Sequence, residues 1–241
     1  SEWIQIGSDI DKEDLSYRDA WVVSLSADGS LAAIASSWNN NNIFVGIKVR
    51  IFKYINGLWT QVGSDIDRDI GDGTWSSAKA NVSLSSDGST IAIGATPNSG
   101  GFNDYFDREG ETVKVYKNIN TNWEQQGVDI IGEVETGNSS LGSRVSLSSD
   151  GSYLAIGVPS NKGNGVGSGH VRIYKNINNV WTQIGSDIDG EAAGDRFGWS
   201  VSLSNDGSIV AIGAPGNDAN GDDSGHVRIY KNINNVWTQI G

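Results

Sequence analysis

Carboxylates recur at alternate positions in the loops of this chain. Asp187, Asp189 and Glu191 stand at i, i+2 and i+4 around Gly190, with Asp195 beyond. Asp65, Asp67 and Asp69 with Asp72, and Asp9, Asp11 and Glu13, repeat the pattern earlier in the chain. A second acidic loop holds Asp218, Asn220, Asp222 and Asp223. Oxygen ligands so spaced in a glycine-bearing loop can converge on one hard cation, and calcium takes about six to eight of them. Calcium is therefore the expected cofactor, with Asp187, Asp189, Glu191 and Asp195 as one candidate set and Asp218, Asn220 and Asp222 as the other. The competing reading is a set of solvated loops, because Asp and Asn side chains bond the nearby backbone in turns.

Other chemistry finds less support in the residues. Cysteine is absent, which removes disulfides, thiolate metal sites and a thiol nucleophile and leaves the redox compartment open. The two histidines, His170 and His226, occupy the same phase of neighbouring repeats, so they read as parts of the repeat and not as a unique catalytic base. No nucleophile elbow, zinc helix motif or phosphate-binding loop is present. Glycoside hydrolysis needs only two carboxylates about 5 to 10 Å apart, so a hydrolase built on loop acids stays a competing reading. The 17 Lys and Arg against 29 Asp and Glu give a net charge of −12. Such a surface repels nucleic acid and anionic leaflets, and no apolar run approaches the roughly 20 residues that span a bilayer.

The elements that must position these acids come from a tandem repeat. A Trp-x-Gln-x-Gly phrase starts at Trp3, Trp59, Trp123, Trp181 and Trp237, a period of roughly 56 to 64 residues. The repeats run approximately 3–58, 59–122, 123–180 and 181–236, with a fifth opening at 237–241. Within each, an Asp-Gly pair follows a Ser-Leu-Ser or equivalent phrase, at Asp28, Asp87, Asp150 and Asp206. Flanked by runs such as Ile209 to Ile212, this is a strong hairpin signal. A third strand alternates apolar and polar residues, as in Val171 to Tyr174 and Val227 to Tyr230, and the Trp phrase makes the fourth. Four short strands per period with no helical periodicity predict an all-β fold, a four-bladed β-propeller in a single domain over 1–241, complete or part of a longer ring.

Several recurring residues read as framework. The repeated Trp is expected to cover the gap between neighbouring sheets, whereas Trp21, Trp75 and Trp199 fall outside the phrase and are candidates to face a ligand. Lys53, Lys117, Lys175 and Lys231 end the third strands, and Arg50, Arg172 and Arg228 lie inside them, as an outward face or as partners for the loop acids. Asn176, Asn178 and Asn179, repeated at Asn232, Asn234 and Asn235, are hairpin turns first and sugar contacts second. Asn81 and Asn138 open glycosylation triplets.

Phe197-Gly198 precedes the first strand of the fourth repeat, and Gly213-Ala214-Pro215 follows its second strand. This arrangement resembles the FG-GAP repeat of integrin alpha chains and many microbial surface proteins. The third repeat has Leu141-Gly142 and Gly157-Val158-Pro159; the second has Ala78-Lys79 and Gly94-Ala95-Thr96; the first has Asp19-Ala20 and Ala35-Ser36-Ser37. The resemblance implies a secreted or cell-surface, non-enzymatic recognition or adhesion module that binds a protein or glycan and often carries calcium. In integrin-type repeats the calcium loop joins the first two strands. Here that connection is the short turn Asn205 to Ser208, so the family's ligands do not transfer to this chain.

The first and last segments, Trp3 to Gly7 and Trp237 to Gly241, are the same strand of the repeat. In a closed ring of four they compete for one edge. A longer parent chain, a frayed end, or a strand donated to a second molecule head-to-tail are the expected outcomes, the last of which can grow into surface fibres.

Overall fold

The computed structural model describes residues 2–11, 17–40, 43–69, 77–98, 112–132 and 144–241. They form four antiparallel sheets in chain order. The first contains β1 (Tyr17–Leu25), β2 (Leu31–Asn40), β3 (Ile43–Ile55) and β4 (Leu58–Gln61), with β5 (Ile66–Asp69) also on β3. The second contains β6 (Ser77–Leu84), β7 (Thr90–Asn98), β8 (Thr112–Ile119) and β9 (Asn122–Gln125), with β10 (Ile130–Ile131) on β8. β11 (Arg144–Leu147), β12 (Tyr153–Val158), β13 (His170–Ile177) and β14 (Val180–Gln183) make the third, with β15 (Ile188–Asp189) on β13. β16 (Ser200–Leu203), β17 (Ile209–Ala214), β18 (His226–Ile233) and β19 (Val236–Gln239) make the fourth. These are the blades of a β-propeller, and the described residues contain no helix. Each Trp phrase closes a blade, so the sheets are phased differently from the sequence repeat.

Turn chemistry explains the meander. In the first hairpin of each blade the Gly, for example Gly29 (φ 69°) or Gly207 (φ 69°), takes the left-handed conformation, while the preceding Asp does not. The Asp instead organises the turn through its side chain. Asp206 accepts from the Ser204 hydroxyl at 2.7 Å and the Ser208 amide at 3.0 Å, and these bonds hold its carboxyl down to about 2. The second hairpin is a two-residue turn with both residues left-handed, such as Asn178 (φ 53°) and Asn179 (φ 66°), a twist that matches the strands it joins.

The core lies between blades and consists of three slabs. Ile47, Val49 and Ile51 meet Val82, Leu84 and Ile91; Val113 and Val115 meet Val145, Leu147 and Ile156; Val171 and Ile173 meet Val210 and Ile212. Polar bonds key the slabs together at the first strands. The backbone amides of Leu84, Leu147 and Leu203 each donate at 3.0 Å to a hydroxyl of the preceding blade, Ser24, Ser83 and Ser146 in turn. The phrase Trp acts as expected: the indoles of Trp59, Trp181 and Trp237 donate to the carbonyls of Ile6, Gln126 and Ile184 in the preceding Trp phrase.

The two outer faces of the array are uncovered. Val227 is 67% exposed although its counterpart Val171 is fully buried. Val23 (66%) and Leu25 (59%) stand exposed where Val82, Leu84, Val145 and Leu147 are buried against a preceding blade. Trp3 is wholly exposed.

Candidate functional site

Strands alternate in direction, so the Asp-Gly and Asn turns gather at one end of each sheet. The long connections 159–169, 190–199 and 215–225 leave from the other end. At the junction of blades 3 and 4 these connections interlock. Phe197 is buried to 1%, meets Tyr230 edge-on at 6.2 Å, and pairs its backbone with Gly169. Gly198 (φ 89°) donates its amide to the Gly213 carbonyl at 3.1 Å while its own carbonyl lies against Gly157. The Phe-Gly pair therefore packs between the glycine of its own blade and that of the blade before.

A methyl group on Gly157 would drive directly into the Gly198 carbonyl, which is backbone and cannot swing away. Gly157→Ala is expected to destabilise the protein by about 1 to 3 kcal/mol, measured as a lower denaturation midpoint with an unchanged m-value.

The first acidic set disperses to different partners. Asp187 receives the Arg172 guanidinium at 2.7 Å and 3.0 Å and the Gln183 amide at 2.7 Å. Burial by itself would raise its carboxyl, but the Arg172 and Gln183 hydrogen bonds and the Arg172 charge outweigh that and hold it below 3.8. Asp189 pairs with His170 across the sheet, and His170 Nδ1 lies 3.6 Å from Asp187. One ligand atom from each of His170, Asp187 and Asp189 falls within 4.8 Å of the others, but the Arg172 guanidinium already supplies the cation there. Glu191 turns to the next blade and pairs with Arg228. Asp195 is buried and works as a loop staple, accepting from the amides of Glu191 and Ala192 and from the Asn217 side chain at about 3.1 to 3.2 Å. Of the four carboxylates, Asp187 and Asp189 lie together beside His170, while Glu191 and Asp195 are engaged elsewhere.

The second set stays within its own loop. Asp218, Asn220 and Asp222 are all exposed, and Asp218 accepts from the Asp223 amide at 2.8 Å. Trp199 is 43% exposed at this end, with Arg144 and Arg196 over its ring at 5.2 and 6.0 Å. Glu13, Asp72, Trp75, Asn138 and the Leu141-Gly142 pair lie outside the described residues, as does the side chain of Trp21.

Of the recurring strand bases, Arg172 and Arg228 pair with loop acids, Arg50 and Lys175 lie over the rings of Phe52 and Tyr153, and two further strand lysines join acids as well. Lys48 pairs with Asp65, and Lys114 reaches Asp129 at 3.4 Å. Arg68 escaped the sequence reading. Flanked by aspartates it looks solvated, yet it is 3% exposed and donates to the carbonyls of Ile93 and Thr112 at 3.0 and 2.8 Å. Burial pushes its guanidinium down to about 10. The signal was its spacing of two from the buried Ile66, which places both on one face of β5.

The Phe-Gly and Gly-Ala-Pro residues of this junction lie inside a stretch that is similar to a known family. The family model described as FG-GAP repeat matches residues 187–230. The matched stretch lies within the fourth repeat. A search of curated proteins finds no match. Among solved structures, the Kuenenia stuttgartiensis hydrazine synthase is similar at a TM-score of 0.53 and 12% identity over 87% of this chain. The chain spans 57% of that protein, and the likeness is one of fold. Weaker overlaps are with the Dos1 propeller (TM-score 0.46, 10% identity, 79% of this chain and 38% of that one) and with a puromycin-hydrolysing peptidase of Mycobacterium tuberculosis (0.44, 14%, 91% and 28%). No helix of the described residues is long and apolar enough to cross a membrane.

Proposed function

We propose that this chain is a non-enzymatic recognition or adhesion module, secreted or displayed at a cell surface, that binds a protein or glycan through the loops of one end. The observation that carries the reading is the division of labour along each blade. The recurrent Trp, Ser and Asp-Gly residues are committed to holding turns and blades together, while the end of β15 presents Asp189, and the connections 190–199 and 215–225 present Glu191, Trp199, Asp218 and Asp222, to solvent. The FG-GAP repeat supports the same reading. In partner pull-down and glycan-array binding, Asp218→Ala with Asp222→Ala is expected to remove capture while leaving the melting temperature measured in chelator unchanged. Undiminished capture by that variant would refute the loop assignment.

Calcium belongs to this proposal at Asp218, Asn220 and Asp222, the acidic set that no framework cation occupies. Calcium at a hundredfold excess over its Kd is expected to stabilise the fold by about 2.7 kcal/mol. A melting temperature insensitive to both calcium and chelator would remove the ion from the account.

Self-assembly is a second reading, favoured by the exposed faces. Val227 and Ile229 on blade 4, and Val23 and Leu25 on blade 1, are the two halves of the contact that neighbouring blades bury elsewhere. Head-to-tail docking of two copies would cover both, with one Trp phrase displaced. Light scattering at high concentration is expected to show concentration-dependent association, and a single monomeric peak would eliminate it.

A further inference from the structure

One junction differs from its neighbours at the end of the molecule that carries only tight turns. Between blades 2 and 3 a cavity of about 430 Å³ opens, lined by Thr90, Lys117, Ile119, Glu124 to Gln126, Asp150 to Ser152, Asn176 and Asn179. Three of these residues depart from the repeat, and all three face this space. Thr90 stands where the other blades have Leu31, Tyr153 and Ile209. Gln126 stands where the other Trp phrases have Ile6, Val62, Ile184 and Ile240, and Glu124 where they have Ile4, Thr60, Thr182 and Thr238.

The first departure opens the space. At the flanking junctions the turn glycines Gly88 and Gly207 are covered by the side chains of Leu31 and Tyr153. The equivalent Gly151 has only the short Thr90 over it. Gln126 makes the wall polar, and Glu124 adds a carboxylate where three sister phrases have Thr. Asn176 spends its carbonyl oxygen on the Asn179 amide at 2.9 Å, as the equivalent Asn of every other Asn turn does, and turns its NH2 toward Gln126 Oε1 across the junction at 3.4 Å. Lys117 and Glu124 stand opposite each other in the strand register, so the one cation of the wall has an acid beside it.

We infer that this junction is a binding site for a neutral saccharide of about one or two rings. Sugar hydroxyls each donate and accept, and amide side chains offer both capacities at fixed geometry. Gln126 and Asn179 present amides to this space, Gln125 keeps its Oε1 while its Nε2 donates to the Gly127 carbonyl and Asp129, Ser152 and Thr90 add hydroxyl oxygens, and the exposed Ile119 offers an apolar strip for the C–H face of a ring. Glu124 and Asp150 turn away anionic ligands, and the volume is within the range of small-ligand pockets. Thr90 and Gln126, where the sister repeats carry Leu, Tyr, Ile or Val, weaken inter-blade packing, so a ligand is the compensating role they have.

The inference rests on the reading of the chain as a recognition module but places the sugar at the opposite end from the loops. The test uses an array of neutral oligosaccharides followed by calorimetric titration with the best one. The whole chain is expected to bind with a millimolar or tighter Kd. Thr90→Leu with Gln126→Ile restores the repeat residues and is expected to weaken that binding at least about tenfold while raising the melting temperature. Glu124→Thr, on an exposed strand where folding is not at stake, is expected to weaken it as well. Asp218→Ala with Asp222→Ala is expected to leave it untouched. No neutral sugar bound, or equal binding by the filled variant, overturns the inference. If loop-dependent capture persists in that case, the groove alone fails; if neither end binds anything, the recognition reading fails with it.

Discussion

Phe197→Ala is expected to lower the stability of the protein by about 3 to 5 kcal/mol, read from the shift of the denaturation midpoint. The ring is buried among Val171, Ile173, Ile212 and Tyr230, and its backbone is bonded to the Ser168 carbonyl at 3.0 Å, so the loop cannot collapse into the void. The loss is a large share of the roughly 5 to 15 kcal/mol by which domains are stable. It also releases the connection that carries Glu191 and Asp195, so loop-dependent binding should weaken in the same variant. A change below about 1 kcal/mol would show that the Phe-Gly segment is not what fastens blade 4 to blade 3.

Asp187→Asn carries the second large effect, about 2 to 4 kcal/mol of lost stability. Arg172 is 6% exposed, and the substitution takes away the carboxylate charge that accompanies its guanidinium in the interior. The lower figure reflects the quarter of the Asp187 side chain that water still reaches. The pH dependence has a definite sign. The folded carboxyl titrates below 3.8, its ordinary value, so between those two limits the unfolded chain holds a proton that the folded chain does not. The contribution is thus complete above pH of about 3.8 and is lost as the pH falls through the depressed folded value. Asp28 and Asp206, each near 2, steepen the same acid limb, so the comparison to make is between wild type and variant. The variant should be less stable than wild type at neutral pH and converge with it in acid. Parallel pH curves that never converge would exclude the ion pair as the source.

Much of this architecture was legible because repetition amplifies weak local signals. One Asp-Gly pair between apolar runs is a modest hint; the same pair at Asp28, Asp87, Asp150 and Asp206, each in phase with a Trp phrase, specifies four hairpins in four sheets. The turn chemistry is local, so Gly207 and Asn179 declare their conformation without knowledge of the rest of the chain. Arg172 and Arg228 were legible as acid partners for the same reason, although which acid each would meet was not.

The acidic set at Asp187 to Asp195 shows where local reading stops. Carboxylates at alternate positions looked able to converge, and Asp187 and Asp189 do lie together around β15, but the loop that follows carries Glu191 and Asp195 to other partners. Asp187 goes to Arg172, Glu191 to Arg228, and Asp195 inward to the backbone of its own loop.

By itself the amino-acid sequence determined the repeat, the all-β meander and the residues that fill each sheet, since these depend on neighbours within about one hairpin. Only the tertiary structure decided that Gly198 of one blade rests on Gly157 of the blade before, that Arg68 is buried, and that Thr90, Glu124 and Gln126 share one cavity. Those contacts join residues some 25 to 60 positions apart in the chain, and the packing of one blade on the next, which no local pattern encodes, brings them together.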